Sequence, residues 1–90
     1  MPAGGFGDMA AIELSAHARE MLRERGISNE WLERAISAPE SQERDEEGNI
    51  HLIKTIPEHG MRVLHVIVNP RSEPPKVVTL FFDRRLRRLL

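Results

Sequence analysis

The sequence contains no cysteine. That excludes a disulfide framework and any cysteine-bound zinc site, and it fits a reducing compartment without requiring one. No apolar run approaches the roughly 18 residues needed to span a membrane. The opening stretch MPAGGFGDMAA has neither the basic n-region nor the apolar h-region of a secretory signal, so the expectation is a cytoplasmic protein with no membrane partner. A surplus of positive charge is also missing. Thirteen Lys and Arg stand against 14 Asp and Glu, for a net charge of -1 and a pI near 6.4. The chain as a whole therefore exerts no basic pull on nucleic acid.

Several chemical signatures are absent as well. No two of the four histidines (His17, His51, His59, His65) have H-x-x-x-H spacing, and there is no H-E-x-x-H. A metal site would have to be assembled across elements, and the expectation is no metal and no cofactor. There is no glycine-rich phosphate loop, no G-x-S-x-G elbow and no internal repeat.

What is present is one small domain with a thin core. Residues 1–11 carry three glycines and a proline and read as a disordered tail. Residues 12–90 read as a single α+β domain. Ser15 can cap a helix running from Ala16 to Arg25, which Gly26 stops. Leu14, Ala18, Met21, Leu22 and Arg25 fall on one side of it at helical spacing, with His17 at the edge of that stripe. Ser28 can cap a second helix, with Ile27 packing on Leu32, and Pro39 ends it. The very short link predicts an αα-hairpin.

Ser41–Glu46 is a weak strand candidate, followed by a turn at Glu47-Gly48-Asn49. Ile50–Ile56, Arg62–Asn69 and Lys76–Phe82 read as strands. Their alternation puts His51, Ile53 and Thr55 on one face of the first, and Val63, His65, Ile67 and Asn69 on one face of the second. In the third it separates Val78, Leu80 and Phe82 from Val77, Thr79 and Phe81. Short connections predict a three- to four-stranded antiparallel meander beneath the helical hairpin. The last two strands are apolar on both faces, so something should cover the second face: the C-terminal arm, a second copy of the chain, or a partner protein. Asp83–Leu90 reads as a short helix or an arm.

Charge is unevenly placed. Glu40–Glu47 sets five acids against Arg44, while Lys76–Leu90 sets Lys76, Arg84, Arg85, Arg87 and Arg88 against Asp83. The basic tail could meet an anionic partner, RNA included, or simply be solvated. The His, Arg, Lys and Thr residues facing the sheet (His17, Arg25, His51, Lys54, Arg62, His65, Thr79, Arg84) are the types that metal-free RNA cleavage uses. A base takes the 2′-hydroxyl proton, cations stabilise the pentacoordinate phosphorus, and an acid protonates the leaving oxygen. Histidine serves either role near neutral pH, and arginine grips phosphate. Such residues also occur as satisfied core groups or snorkelling side chains.

The run His17-Ala18-Arg19-Glu20-Met21-Leu22-Arg23-Glu24-Arg25-Gly26-Ile27-Ser28 resembles the opening motif of a bacterial family known as domain of unknown function 4258, whose pattern is H-A-x-x-R-M-x-x-R-G-I-S. Val77 to Asp83 resembles its final strand, and the likeness covers roughly residues 12–85. Where the pattern carries arginine, this chain has Met21. The family in turn resembles the RelE-like toxin fold, which groups metal-independent ribonucleases with relatives such as BrnT. The resemblance implies two helices on a meander sheet, a toxin-like ribonuclease or RNA-binding role, and an antitoxin-like protein partner. It points to His17, Arg25 and Thr79 as catalytic residues; by their charge alone Lys54, Arg62, Arg84 and Arg85 are expected near RNA. The alternative is a non-catalytic module of the same fold that homodimerises or binds a protein through its second sheet face.

Overall fold

The computed structural model describes residues 12–86. The tail expected over residues 1–11 and the end of the C-terminal arm, 87–90, lie outside the described residues. The element order is β1 (Glu13–Leu14), α1 (Ala16–Arg25), α2 (Asn29–Ser37), β2 (Ser41–Arg44), β3 (Ile50–Ile56), β4 (Arg62–Asn69) and β5 (Lys76–Phe82). One 3₁₀ turn (Pro57–His59) precedes β4 and another (Arg84–Leu86) follows β5.

The helices begin and end on local chemistry. Ser15 accepts a hydrogen bond from the Ala18 N–H at 2.9 Å, and its hydroxyl donates to the Val78 carbonyl at 3.0 Å. One residue thus caps α1 and ties it to β5. Gly26, at φ +64°, closes α1 with its own N–H turned back to Arg23 and Leu22, and the Ile27 N–H reaches the Leu22 carbonyl at 2.9 Å. That left-handed turn is the one glycine adopts without strain. Ser28 caps α2 through the Trp31 N–H. The helices are consecutive but lie over different strands, α1 on β5 and α2 on β4 and β3.

The sheet corrects the expected meander. It has five strands in the order β1-β5-β4-β3-β2, and β1 runs parallel to β5. Leu14, expected on the helix stripe, is in this added strand. Two residues are too few to show an alternating pattern, and their partners Lys76 and Val77 lie more than 60 positions away. The other pairings are antiparallel, and the weak candidate Ser41–Glu46 does form a strand over Ser41–Arg44.

A second correction concerns β5. Val68 pairs with Val77 but Ile67 pairs with Thr79, so Val78 is an extra residue. Such a bulge resets the alternation. Val77 therefore joins Leu80 on the core face, and both are fully buried. The core packs Ala18, Ile27, Leu32, Ala35 and Ile36 from the helical layer against Ile50, Leu52, Ile56, Leu64, Val66, Val68, Val77 and Leu80. At its rim Trp31 contacts Phe82 and His59, and Arg34 holds Glu58 and Glu30.

The opposite face carries His51, Ile53, Thr55, Val63, His65, Ile67, Thr79 and Phe81. The 3₁₀ turn Arg84–Leu86 packs against β4 and supplies part of the cover the sequence calls for. Val63, Ile53 and His65 are buried, while Ile67 and Phe81 remain half-buried.

Candidate functional site

The second face holds an unbroken file of polar side chains running diagonally across four strands. Asp45 follows β2, His51 is on β3, His65 is on β4, and Asp83 follows β5. His51 pairs with Ile67 and His65 with Ile53, so the two rings are diagonal neighbours on one face, within reach of long side chains. Asp83 lies two residues beyond Phe81, the cross-strand partner of His65, and so returns to the same face. Its N–H donates to the Val63 carbonyl at 2.8 Å.

The contacts are close. His51 Nε2 lies 2.8 Å from Asp45 Oδ2, His51 Nδ1 lies 2.7 Å from His65 Nε2, and His65 Nδ1 lies 3.0 Å from Asp83 Oδ2. Exposure rises along the file: Asp83 is 4% exposed and His65 8%, whereas the His51 side chain is 27% exposed. The buried end is thus anchored and the outer end opens into a groove of about 730 Å³, lined also by Glu43, Arg44, Ile53 and Arg85.

Both carboxylates are held ionised. Asp83 is lowered to about 2, first by the Arg85 guanidinium and then by His65 and the Arg85 backbone N–H, against the opposing effect of burial. Arg85 is raised by the same contact. Asp45 is lowered chiefly by its bond with His51, with help from the Asn49 and Glu47 backbone N–H groups. Those two N–H bonds also fix the Asp45 carboxylate to the β2–β3 turn.

The residues expected to be catalytic are only partly brought together. His17 Nε2 lies 3.1 Å from Thr79 Oγ1, on an exposed stretch where α1 begins. Arg25 is exposed at the other end of α1, eight residues on, or about 12 Å along the axis. Arg25 therefore does not face the His17–Thr79 pair; at the helix end its side chain has the route to solvent that a charge on the apolar side of the helix needs. Of the expected RNA contacts, Lys54 is half-buried on the helix-covered face opposite Leu64. Arg62 and Arg84 line a separate recess of about 320 Å³ with Val63, Phe82 and Asp83. Arg85 reaches the groove and is bound to Asp83. Asp83 borders both hollows. Asp45 and Asp83 were not among the residues expected at a site. Their shared sequence signal is position, since each follows a strand whose face carries the cross-strand partner of a histidine; Asp83 also closes the stretch that resembles the family's final strand.

No group of three or more His, Asp or Glu side chains among the described residues is arranged to hold a metal ion. No helix among them is long and apolar enough to cross a membrane. The model of the family described as Domain of unknown function (DUF4258) matches residues 14–82. The chain belongs to that family. The matched span runs from β1 to the end of β5, and so includes both histidines of the file and stops one residue short of Asp83. Neither a curated protein nor a solved structure matches the chain.

Proposed function

We propose that this DUF4258 chain is a metal-independent acid–base ribonuclease of the toxin-like, RelE-like class, with its centre in the groove of the second sheet face rather than at the start of α1. The observation that carries the reading is the file Asp83–His65–His51. A buried carboxylate orients one imidazole, which holds a second at the floor of an open groove. That is the logic by which a positioned histidine becomes a proton-transfer group.

In this scheme His51 is the catalytic residue. Its ring takes the 2′-hydroxyl proton as that oxygen attacks the adjacent phosphorus. It then returns the proton to the departing 5′-oxygen, leaving a 2′,3′-cyclic phosphate and a 5′-hydroxyl. His65 and Asp83 are positioning residues that support the charge His51 carries between the two steps. Arg44 and Arg85, at the groove walls, are placed to offset phosphate charge. The recess shared by Arg62 and Arg84 adds two cations beside the groove for the RNA strand. An antitoxin-like protein covering the groove in the cytoplasm would hold such an activity in check.

Incubation of single-stranded RNA with the purified chain in chelator tests this. Cleavage with cyclic-phosphate ends is expected, and His51→Ala should reduce it by about 10²-fold or more. Intact RNA at high protein concentration overturns the reading. So does loss of cleavage in His17→Ala with retention in His51→Ala, which would put the centre at the helix end.

A second reading has its own observation. Ile67 and Phe81 stay half-buried beside the groove, and Leu86 is 39% exposed. These form an apolar margin suited to a second copy of the chain or a protein partner. Light scattering would show a dimer that Phe81→Lys disrupts, together with no effect of His51→Ala on any RNA.

A further inference from the structure

We infer that His51 and His65 hold three ring protons between them, and that loss of the third opens the Asp45–His51 contact and leaves His51 Nε2 a free acceptor facing the groove.

The count follows from the geometry. A carboxylate only accepts hydrogen bonds. His51 Nε2, facing Asp45, and His65 Nδ1, facing Asp83, must therefore both carry hydrogen. The two nitrogens left over, His51 Nδ1 and His65 Nε2, face each other at 2.7 Å. Without a proton between them, two lone pairs would oppose at hydrogen-bond distance. With one, the file is continuous: Asp45 accepts from His51, the rings share a hydrogen bond, and Asp83 accepts from His65. Two rings with three protons are one imidazole and one imidazolium.

The surrounding charges match this state. Asp45 from the β2–β3 turn and Asp83 from the end of β5 are negative, while Arg85 from the C-terminal turn and the shared imidazolium are positive, so the four cancel. Glu43, directly across from His51 on β2, adds a negative charge at the groove. Arg44 adds a positive one, with its guanidinium turned to the Gly48 carbonyl at 3.4 Å.

Removal of the third proton leaves two hydrogens for three contacts, so one contact must break. The His65–Asp83 contact is buried, at 11% and 2% side-chain exposure, and an unpaired group there would find no water. The Asp45–His51 contact is at the rim, at 32% and 27%, where solvent replaces the lost partner. The break therefore falls at the outer end. His51 then donates through Nδ1 to His65, His65 donates to Asp83, and His51 Nε2 is left with a bare lone pair in the groove. Rising pH would thus create the accessible base that the proposed cleavage requires.

Asp45→Asn separates this device from ordinary histidine titration. An amide can donate as well as accept. Asn at position 45 can donate to His51 Nε2, His51 to His65, and His65 to Asp83, satisfying every contact with two neutral rings. The variant has no use for the third proton.

The test is long-range ¹⁵N–¹H NMR of the histidine rings from about pH 5 to pH 8. In the native chain the His51 and His65 signals should move together with one midpoint, with a single proton lost from the pair. Above that midpoint His51 Nε2 should carry the lone-pair shift. In Asp45→Asn this step should vanish from the range. Two rings titrating independently, two rings neutral throughout, or an Asp45→Asn variant that titrates like the native chain would each overturn the inference. Ring titration needs no substrate, so its outcome is separate from that of the RNA assay.

Discussion

Replacing Asp83 by alanine tests whether the polar file holds the sheet together. The Asp83 carboxylate accepts hydrogen bonds from His65 Nδ1, from the Arg85 N–H and from two nitrogens of the Arg85 guanidinium. The guanidinium contacts contribute little, because the Arg85 side chain is 82% exposed and water replaces them. The His65 contact is different. That ring is buried, and truncation leaves its N–H without a partner, at a cost of about 1–3 kcal/mol. Loss of the bond to the Arg85 N–H adds about 0.5–1 kcal/mol.

The total is about 1.5–4 kcal/mol, a large fraction of the ~5–10 kcal/mol that holds a domain of this size. With a urea dependence of about 1 kcal/mol per molar for so small a protein, the unfolding midpoint should fall by about 1.5–4 M. The fluorescence of Trp31, which packs on Phe82 one residue before Asp83, reports the transition. A loss under about 0.5 kcal/mol would refute the reasoning, since it would mean that the buried end of the file carries no stability. Acid unfolding gives an independent check. Asp83 is depressed from 3.8 to about 2 in the folded chain. The stability it confers is therefore complete above about pH 3.8 and is lost as pH falls toward about 2. Asp83→Asn should lack that segment of the acid transition.

Leu64 is fully buried between the sheet and the helical layer, so Leu64→Ala should cost about 2–5 kcal/mol in urea unfolding; a change under 1 kcal/mol would mean the core is not packed there. The Thr55 hydroxyl is buried with no hydrogen-bond partner among the described residues, so Thr55→Val should raise stability by about 1 kcal/mol in the same assay, and a loss would show that the hydroxyl has one. Ser15→Ala removes both the cap on α1 and the bond to Val78; a loss of about 1–2 kcal/mol is expected, with far-UV circular dichroism showing fraying of α1 as the first change on heating.

The chain signals that placed the helices were all short-range. Ser15, Gly26 and Ser28 each act within a turn of their own position, and the helices begin and end where those residues predict. The three long strands were equally plain, because alternation over seven or eight residues is visible without knowing the partner. The face shared by His51 and Ile53, and that shared by His65 and Ile67, followed from the same alternation. The strand β1 was not visible, because two residues carry no period. The bulge at Val78 was not either, because KVVTLFF reads smoothly through it.

The candidate site was half visible. His51 and His65 were named as possible acid–base groups, but spacing along the chain offered no reason to join them. Their contact depends on the register of β3 against β4, which the turn Pro57–Met61 sets. One residue of slippage would send the two rings to opposite faces. His17 and Thr79, picked out through the family motif, do meet. Arg25 was read onto the apolar side of α1 from its helical angle. It stands at the last position of that helix and is exposed.

The sequence by itself determined where the two helices and the three long strands begin and end and, apart from the bulged start of β5, which side of each is apolar, since capping, turn geometry and periodicity act over a few bonds. Tertiary structure alone decided which strands neighbour which, where the alternation breaks, and which side chains face one another across strands. Those outcomes depend on pairing between residues that lie from 6 to more than 60 positions apart, and no local pattern records the free energy of that choice. The row of carboxylates and imidazoles on the second sheet face is a product of that pairing.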